Sequence, residues 1–268
     1  MNSTIRSLKK IARDFLPPIA LRRIKDVRQS LRIRSPLRIP NTGRSLIHRG
    51  TNTDTEIFDQ MFLARVYDFT QLSRHREIDS YYNACPMPLI LDCGANIGAS
   101  TIWFATQFPR STVVAVEPEP GNFALLKKNT ENANAIAVHG AVAGHAGELQ
   151  LFDPGLGSAG FRTGASGNDA GPGTVHAYTL DTLAAMVPGS TPFILKIDIE
   201  GAEGDLFKTH HSVLDNCPIV IIELHDWMLP RTASSRAFLK WHVSQDRDFV
   251  HIGENIYSLC NRLLPCVT

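Results

Sequence analysis

The sequence predicts an α/β fold in which a largely parallel β-sheet carries helices on both faces. Three observations support this prediction. Strand-like and helix-like segments alternate between residues 89 and 246. Two of the strand-like segments, 193–199 and 219–224, are almost continuously apolar, which is typical of strands that are buried on both faces. Two short apolar segments at 249–252 and 256–259 predict a terminal hairpin.

The predicted elements follow one another in strand–helix order. Apolar runs predict strands at 89–93, 112–116, 136–142, 148–152, 193–199 and 219–224. Apolar residues that recur every three or four positions predict helices at 98–108, 120–132, 201–214 and 234–246. Successive strands that are joined by helices run parallel in one sheet, so these units predict a doubly covered parallel sheet.

A further helix is predicted upstream of the first strand. Phe58, Phe62, Val66 and Phe69 form one apolar stripe, which predicts a helix from residue 54 to about residue 72. Asp54 is of the type that caps a helix N-terminus. We interpret the stripe as core packing.

The charge of the chain is divided unevenly. Residues 1–50 contain 13 lysines and arginines against two acids, a net charge of +11, whereas the remainder, with 14 basic and 24 acidic residues, carries −10. Apolar residues at helical spacing predict two basic amphipathic helices within residues 1–34, and Ser35, Pro36 and Pro40 mark a linker. We therefore divide the chain into an extension at 1–50 and a globular domain at 51–268.

The basic helices are typical of three different roles. They fit a helical cap or a dimerisation element, a peripheral contact of residues 1–34 with an anionic membrane surface, or contacts with a polyanion. The five cysteines show no metal-binding spacing, and the N-terminus lacks the features of a signal peptide. We expect a cytoplasmic protein, with peripheral contact at the inner membrane surface as one interpretation.

A glycine-rich segment separates the two halves of the predicted sheet. Residues 153–173 contain seven glycines. Such a segment does not bury a core of its own, and it is typical either of a mobile flap or of a simple connection. The second interpretation is favoured.

The strongest local signal for chemistry is a glycine-containing turn between the first strand and its helix. Asp92, Gly94, Ala95, Asn96 and Gly98 belong to this turn. Its glycines allow the backbone to bend tightly and to approach a ligand closely. In open parallel sheets, ligands bind beyond the carboxyl ends of the strands, where this turn is predicted to lie.

An acidic residue at the end of the next strand narrows the ligand class. Glu117 is placed to accept both hydroxyls of an adenosine ribose. Dinucleotide sites have a second glycine where this chain has Asn96, and Asp92 would repel a pyrophosphate. The same carboxylate tolerates a cationic sulfonium, so S-adenosylmethionine is favoured over a nicotinamide cofactor. A P-loop is excluded, because no Gly-Lys-Ser/Thr follows the glycines.

Several motifs in this order resemble those of the FkbM-type methyltransferases. The resemblance covers roughly residues 54–226 and includes the sequences LDCGANIGAST at 91–101, VEPEPGNF at 116–123, TLDTL at 179–183, LKIDIEGAE at 195–203 and IELH at 222–225. It implies a class I methyltransferase fold, a Rossmann-like seven-stranded sheet whose seventh strand is antiparallel. It also implies S-adenosylmethionine-dependent O-methylation of a sugar, glycolipid, polysaccharide or polyketide hydroxyl.

With this resemblance, the turn residues receive specific roles. Asp92, Gly94, Ala95, Asn96 and Gly98 are predicted to shape the methionine side of the cofactor pocket. Glu117 is predicted to hold the ribose, and Ala141 is predicted to lie near the adenine. The domain at 51–268 is accordingly predicted to be an FkbM-type methyltransferase domain with an N-terminal helical appendage.

A second polar cluster is predicted beside the methyl group. Lys196, Asp198 and Glu200 alternate along one strand and therefore point to the same face. Glu223 and His225 share a face at the end of the neighbouring strand. Charged groups at the end of a buried strand are costly unless they line a site.

These residues are candidates for handling the proton of the acceptor. An attacking hydroxyl loses its proton to a carboxylate or an imidazole, and Asp198 and His225 are equal candidates for this general base. Lys196 would neutralise a carboxylate. A salt-bridge network that only orders the loops is the structural alternative. Magnesium held by Asp198 and Glu223 is compatible with hard oxygen ligands, but methyl transfer from a sulfonium does not require a metal.

Two other classes of function compete with this hypothesis. One is an NAD(P)-dependent oxidoreductase of Rossmann type, and the other is a membrane- or polyanion-binding module with a vestigial cofactor fold. A nucleic-acid amino-methyltransferase is disfavoured, because no Asn/Asp-Pro-Pro-Tyr/Phe motif is present, and no nucleic-acid partner is expected. The expected partner is a small-molecule or glycan acceptor. The sequence leaves its identity, the methylated position and the oligomeric state open.

Overall fold

The computed structural model describes residues 36–152, 162–164 and 173–266. Its strands are β1 (Leu37–Arg38), β2 (Ser45–Leu46), β3 (Pro88–Cys93), β4 (Thr112–Glu117), β5 (Ala135–His139), β6 (Ala141–Val142), β7 (Gly147–Phe152), β8 (Arg162–Gly164), β9 (Gly173–Tyr178), β10 (Thr191–Ile197), β11 (Ile219–Glu223), β12 (Arg247–Ile252) and β13 (Asn255–Cys260).

The α-helices alternate with these strands over most of the domain. They are α1 (Asn52–Phe58), α2 (His75–Ala84), α3 (Ala99–Gln107), α4 (Pro120–Asn129), α5 (Leu180–Ala184), α6 (Glu203–Leu206), α7 (Ser212–Asn216) and α8 (Arg236–Ser244). A π-helical segment, Asp59–Ala64, continues α1, and a short 3₁₀-helix covers Phe69–Gln71.

A seven-stranded sheet forms the centre of the domain and confirms the predicted fold class. Its strand order is β12-β13-β11-β10-β3-β4-β5. Strands β5, β4, β3, β10 and β11 run parallel to one another, whereas β13 pairs antiparallel with both β11 and β12. This is the class I methyltransferase sheet with its antiparallel seventh strand, and the predicted terminal hairpin is β12–β13.

The two faces of the sheet bury separate apolar cores, as the predicted double covering requires. Strand residues alternate between the faces, so Ile90 packs with α1, α2 and α3, whereas Leu89 and Leu91 pack with α5 to α8. The strands β3, β10 and β11 are almost completely buried, which explains why they have no polar alternation. The core therefore fixes the strands whose carboxyl ends carry the predicted site residues.

A second sheet of four short strands was predicted only in part. Its order is β6-β9-β7-β8, and only β7 corresponds to a separate predicted strand. The predicted third strand at 136–142 is in fact interrupted at Gly140, so that β5 stays in the central sheet and β6 pairs with β9. A side chain at Gly140 would approach the ring of Tyr178 to 2.5 Å, and this close approach marks the point where the chain changes sheets.

The prediction of one continuous helix over residues 54–72 was wrong. The helical backbone ends at Ala64, because Arg65 adopts a left-handed conformation with φ of 57°. The N-cap is Thr51, whose hydroxyl accepts the backbone N–H of Asp54. Asp54 itself is fully buried and pairs with Arg49 at 2.7 Å, which fixes the start of the helix. Helix α2 was not predicted.

Two other predicted boundaries also change. The predicted helix at 201–214 consists of two short helices, α6 and α7, because the chain leaves the helical path between Phe207 and His211. Strand β10 ends at Ile197, so Asp198 and Glu200 lie in the turn that follows the strand. Glu200 adopts a positive φ of 55°, and it therefore does not continue the strand alternation on which its predicted direction depended.

The part of the N-terminal extension that the structure describes packs on the domain. Ile39 and Leu46 are buried in the core, and the Asn129 side chain binds the backbone of Ile47 at both its N–H and its C=O. The two predicted basic helices lie outside the described residues. Within the described residues, no helix has the length and apolar character needed to cross a membrane.

Arg247 fixes the terminal hairpin to the central sheet. Its buried guanidinium donates to the Ser258 hydroxyl and to the carbonyls of Cys217, Pro218 and Ser258, at 2.8 to 3.1 Å. These bonds hold β12 and β13 at the start of β11. Because a single ammonium does not match this planar set of acceptors, the hairpin depends on arginine at this position.

We therefore expect Arg247→Lys to lower the free energy of unfolding by about 2 kcal/mol, since it leaves buried carbonyl groups without a donor. Urea denaturation followed by circular dichroism measures this change. Arg262→Lys is the matched control, because exposed Arg262 donates only to the Asp215 carbonyl among the described hydrogen bonds, and it should change the value by less than about 0.5 kcal/mol. Equal effects of the two substitutions would contradict the assigned role.

Candidate functional site

The turn after β3 is built from left-handed backbone conformations. Gly94, Asn96 and Gly98 have φ of 82°, 50° and 89°. The backbone N–H groups of Gly94 and Ala95 both donate to the carbonyl of Val116, which ties the turn to the end of β4. These contacts hold the turn at the carboxyl end of β3, directly before α3 begins at Ala99.

Gly94 also allows the turn to touch the second half of the site. A Cβ atom at Gly94 would lie 1.7 Å from the carbonyl oxygen of Asp198. The Asp198 N–H donates to the Cys93 carbonyl, so the backbones at the ends of β3 and β10 run in direct contact. Only glycine satisfies both the positive φ and this close approach.

Lys196 is the central cation behind the turn. Its buried ammonium donates to the Gly94 carbonyl at 2.6 Å and lies 3.4 Å from Asp92 Oδ1 and 3.2 Å from Asp198 Oδ2. Burial opposes the charge, but Asp198 and Asp92 outweigh burial and raise the pKa of Lys196 well above its usual value. The ammonium therefore links the cofactor turn, the first strand and the Asp198 carboxylate.

Asp92 is held behind the turn and does not line the cavity. Its Oδ2 accepts the hydroxyl groups of Ser100 and Thr101 at 2.7 and 2.6 Å, and its side chain is fully buried. These contacts join β3 to the first turn of α3. Asp92 was predicted to shape the methionine side of the pocket beside a sulfonium; in the structure Lys196 lies beside this carboxylate, and Asp92 supports the turn from behind.

Glu117 is positioned by the backbone of both neighbouring loops. Its carboxylate accepts the N–H groups of Asn96 and Glu119 and the side-chain amide of Asn122. Burial raises the pKa of Glu117 to about 7, although these hydrogen bonds oppose the shift. The carboxylate lines the cavity next to Asn96, as expected for a group that accepts ribose hydroxyls.

A cavity of about 520 Å³ opens at the carboxyl ends of the parallel strands. This volume lies within the range of cofactor sites. Among the predicted site residues, its wall includes Gly94, Ala95, Asn96, Glu117, Ala141, Lys196, Asp198 and Glu223. Gly98 and His225 lie behind the wall with Asp92. The structure therefore brings the two predicted halves of the site to one cavity.

Three parts of the cavity wall were not predicted. The first is the α1–π segment, which contributes Ile57, Gln60, Met61 and Ala64 and which we had interpreted as core packing alone. The second is the backbone turn after β10: Glu200 was predicted in the polar cluster, but its place in a turn rather than on a strand was not. The third is the β12–β13 turn at residues 252–255. For the first of these, the available sequence signal was Gln60, a polar residue of the same segment that lies off the apolar stripe.

His225 is surrounded by carboxylates. Its Nδ1 lies 2.8 Å from Glu203 Oε1, and its Nε2 lies 3.6 to 3.7 Å from carboxylate oxygens of Glu223, Asp198 and Glu200. The imidazole is only 2 % exposed. Glu203 is completely buried and had no predicted role, although it belongs to the sequence LKIDIEGAE.

The charges of this cluster shift its titration. Burial would lower the pKa of His225, but the hydrogen bond with Glu203 and the other carboxylates raise it to about 10. Burial and the nearby Asp198 charge raise the pKa of Glu200 to about 7, against the influence of His225. With a proton on both ring nitrogens, His225 has no lone pair to accept another, so the structure favours a carboxylate over His225 as general base.

Comparison with known proteins identifies one family. The sequence model of the family described as "Methyltransferase FkbM domain" matches residues 92–252. A protein named Methyltransferase 1 from Beauveria bassiana is 27% identical over 194 residues, which cover 57% of this chain and 72% of that protein. The hexuronic acid methyltransferase AglP from Haloferax volcanii is 26% identical over 170 residues, 60% of this chain and 69% of that protein.

Solved structures are similar at a more distant level. The O-methyltransferase from Bacillus cereus in complex with SAH has a TM-score of 0.38 at 12% identity, with 94% of this chain and 97% of that chain covered. TrmK from M. capricolum, in complex with S-adenosyl-homocysteine, has a TM-score of 0.34 at 12% identity, with 69% and 67% covered.

The contact between Gly94 and Asp198 generates a prediction about stability. Gly94→Ala should lower the free energy of unfolding by about 2 to 4 kcal/mol more than Gly189→Ala, because the new methyl group must displace the Asp198 backbone. Gly189 is the matched control, since its φ of 79° is close to that of Gly94 but nothing lies within 4 Å of its would-be Cβ. Urea denaturation of both variants measures the difference. Similar losses in the two variants would show that backbone strain alone requires glycine at this turn.

Proposed function

Because this chain belongs to the FkbM family of methyltransferases, we propose that it transfers the methyl group of S-adenosylmethionine to a hydroxyl group of a saccharide or glycolipid. The observation that carries the proposal is one cavity with two different walls. The turn at 94–96 and Glu117 line the part of the cavity that is suited to a nucleoside, here called the cofactor wall. The carboxylates of Asp198 and Glu223 line the part that is suited to accept a proton, here called the acceptor wall. Both walls lie at the carboxyl ends of neighbouring strands.

The cofactor wall fits the parts of S-adenosylmethionine. Glu117 presents a carboxylate to the two ribose hydroxyls, and its own hydrogen bonds with Asn96 and Asn122 fix its direction. Ala141 and Val142 line the cavity beyond β5 and offer an apolar surface to the adenine. The turn at 94–96 faces the methionine part. Gln60 and Tyr67 complete the wall from the N-terminal side.

The reaction requires a proton acceptor next to the methyl carbon. The acceptor oxygen attacks the methyl carbon, the carbon–sulfur bond breaks with its electron pair going to sulfur, and the hydroxyl proton passes to a carboxylate. Asp198 and Glu223 line the cavity, and the Lys196 ammonium pairs with Asp198 at 3.2 Å. His225 stands behind both carboxylates and balances part of their charge.

Two observations favour a saccharide as the source of the hydroxyl. The relative from Haloferax volcanii is named a hexuronic acid methyltransferase. In this chain the indole of Trp227, two residues after His225, is 74% exposed. Trp227 is not part of the cavity wall, but its exposed aromatic face is suited to stack on the apolar face of a sugar ring that extends from the cavity.

We expect the affinity for S-adenosylmethionine to increase as the pH rises through about 7, the pKa of Glu117. Ribose hydroxyls donate to the ionised carboxylate, and one pH unit below the pKa only about one tenth of the groups are ionised, so Kd should be roughly tenfold larger at pH 6 than at pH 8. Isothermal titration calorimetry of wild type and Glu117→Gln measures the change. The variant removes the titrating group and should bind more weakly with a flatter profile.

The same titration distinguishes the cofactor classes. Binding of NAD⁺ without binding of S-adenosylmethionine would contradict the proposed function and favour the oxidoreductase. An identical pH profile in wild type and Glu117→Gln would show that another group, such as the amino group of the ligand, causes the dependence.

Asp198→Asn should reduce the rate of methyl transfer by roughly 10²- to 10⁴-fold, because the substitution removes a proton-accepting carboxylate from the reacting centre. Transfer of labelled methyl groups to a panel of soluble glycans and lipid extracts measures the rate. Asp205→Asn is the matched control, since Asp205 is exposed and pairs only loosely with Lys208 at 3.8 Å. Full activity of Asp198→Asn, together with loss of activity after removal of residues 1–50, would favour the binding-module alternative.

A further inference from the structure

We propose that Asp198, Glu200 and His225 form a binding site for one divalent cation of the Mn²⁺ type, which holds the acceptor oxygen beside the methyl group. The proposal rests on the proposed function and extends it to the way in which the acceptor is positioned. The three side chains each offer one ligand atom, and these atoms all lie within 4.8 Å of one another.

The spacing of the ligand atoms matches a cation. Nε2 of His225 lies 3.7 Å from Asp198 Oδ1 and 3.7 Å from Glu200 Oε2. Both separations are too long for a direct hydrogen bond. Ligand atoms on a hard divalent cation lie roughly 3 to 4 Å apart, because each is about 2.1 Å from the metal.

The imidazole provides an observation that is independent of the acidic residues. The imidazole of His225 is only 2% exposed, and the carboxylate oxygens nearest to its Nε2, those of Glu223, Asp198 and Glu200, lie at 3.6 to 3.7 Å, which is longer than an ordinary hydrogen bond. This ring nitrogen is aimed at three carboxylates, although polar atoms at buried positions normally have a partner at bonding distance. A bound cation would supply that partner.

Glu203 acts as a positioning residue for this nitrogen. Its buried Oε1 accepts Nδ1–H of His225 at 2.8 Å and also the Gly201 N–H at 3.1 Å. A cation that binds Nε2 would displace the proton that the ring carries there without the cation, while Nδ1 keeps its proton toward Glu203 and the Nε2 lone pair points toward Asp198 and Glu200. Histidines that bind metals are commonly oriented in this way by a carboxylate on their other nitrogen.

The set of ligand types indicates the class of cation. Two carboxylates favour a hard divalent cation, whereas imidazole favours a transition metal. Mn²⁺ satisfies both preferences and leaves coordination positions for the acceptor oxygen and water. With Asp198 committed to the cation and to Lys196, Glu223 is the remaining carboxylate at the cavity that can receive the hydroxyl proton.

Mn²⁺ titration of the EDTA-treated full chain, followed by the electron paramagnetic resonance of free Mn²⁺, tests the site. We expect one site per chain, and at least about tenfold weaker binding in both Glu200→Gln and His225→Gln. Glu203→Gln should weaken binding roughly 10- to 100-fold through its effect on the imidazole. His210→Gln is the matched control, because His210 and Asp215 form an exposed pair at 2.8 Å, and it should leave the affinity unchanged.

Spectroscopy of the wild type provides a test that does not depend on folding of the variants. Electron spin echo envelope modulation of the Mn²⁺ complex should show coupling to an imidazole nitrogen. Absence of that coupling, absence of Mn²⁺ binding, or equal binding by wild type and His225→Gln would overturn the proposal.

Failure of the cation site is distinguishable from failure of the proposed function. If the EDTA-treated chain binds S-adenosylmethionine but not Mn²⁺, the cation site is wrong and the carboxylates serve the sulfonium and the proton. If the untreated chain does not bind S-adenosylmethionine, the proposed function fails first. The calorimetric and paramagnetic measurements use the same sample.

Discussion

The contacts of the Lys196 ammonium are the constraint on which the rest of the site depends. This buried cation reaches the Gly94 carbonyl, Asp92 and Asp198, so one side chain joins the cofactor turn to the acceptor wall. A buried ammonium is costly without such partners, and the two carboxylates would be equally costly without it. The turn, the end of β3 and the end of β10 therefore hold one another in place. Removal of any one charge leaves the others unbalanced in a region with little water.

Gly94 makes this arrangement sterically accessible. The ammonium joins the turn to the strand ends only because their backbones touch, and they touch only because residue 94 has no side chain. The spacing between the cofactor wall and the carboxylates is thus set by backbone contact rather than by flexible side chains. For a methyl transfer, in which the oxygen must approach the carbon opposite the sulfur, such a fixed spacing supplies much of the rate.

The sequence was sufficient to predict the central sheet and the two walls of the cavity, because buried parallel strands have a clear apolar pattern and their carboxyl ends share one edge. It was not sufficient where direction depends on an irregular turn. Glu200 has a positive φ, and Arg65 ends a helix in a left-handed conformation that an arginine rarely adopts. Neither is indicated by periodicity. The sequence indicated that Asp92 belongs to the site, but it did not indicate where the side chain points. The hydroxyls of Ser100 and Thr101 and the ammonium of Lys196 hold the carboxylate behind the turn.

The acceptor wall carries several carboxylates, and their negative charge has to be balanced by a positive charge. A sulfonium carries a full positive charge before transfer and only part of it in the transition state, so nearby carboxylates stabilise the reactant more than the transition state. Asp198, Glu200, Glu203 and Glu223 all lie within 3.7 Å of the His225 ring nitrogens. Left uncompensated, this charge would strengthen cofactor binding and slow the reaction. A positive charge between these carboxylates cancels that effect and, at the acceptor oxygen, favours loss of the hydroxyl proton. A proton on His225 only cancels part of the negative charge. A cation that also contacts the acceptor oxygen cancels that charge and favours loss of the hydroxyl proton.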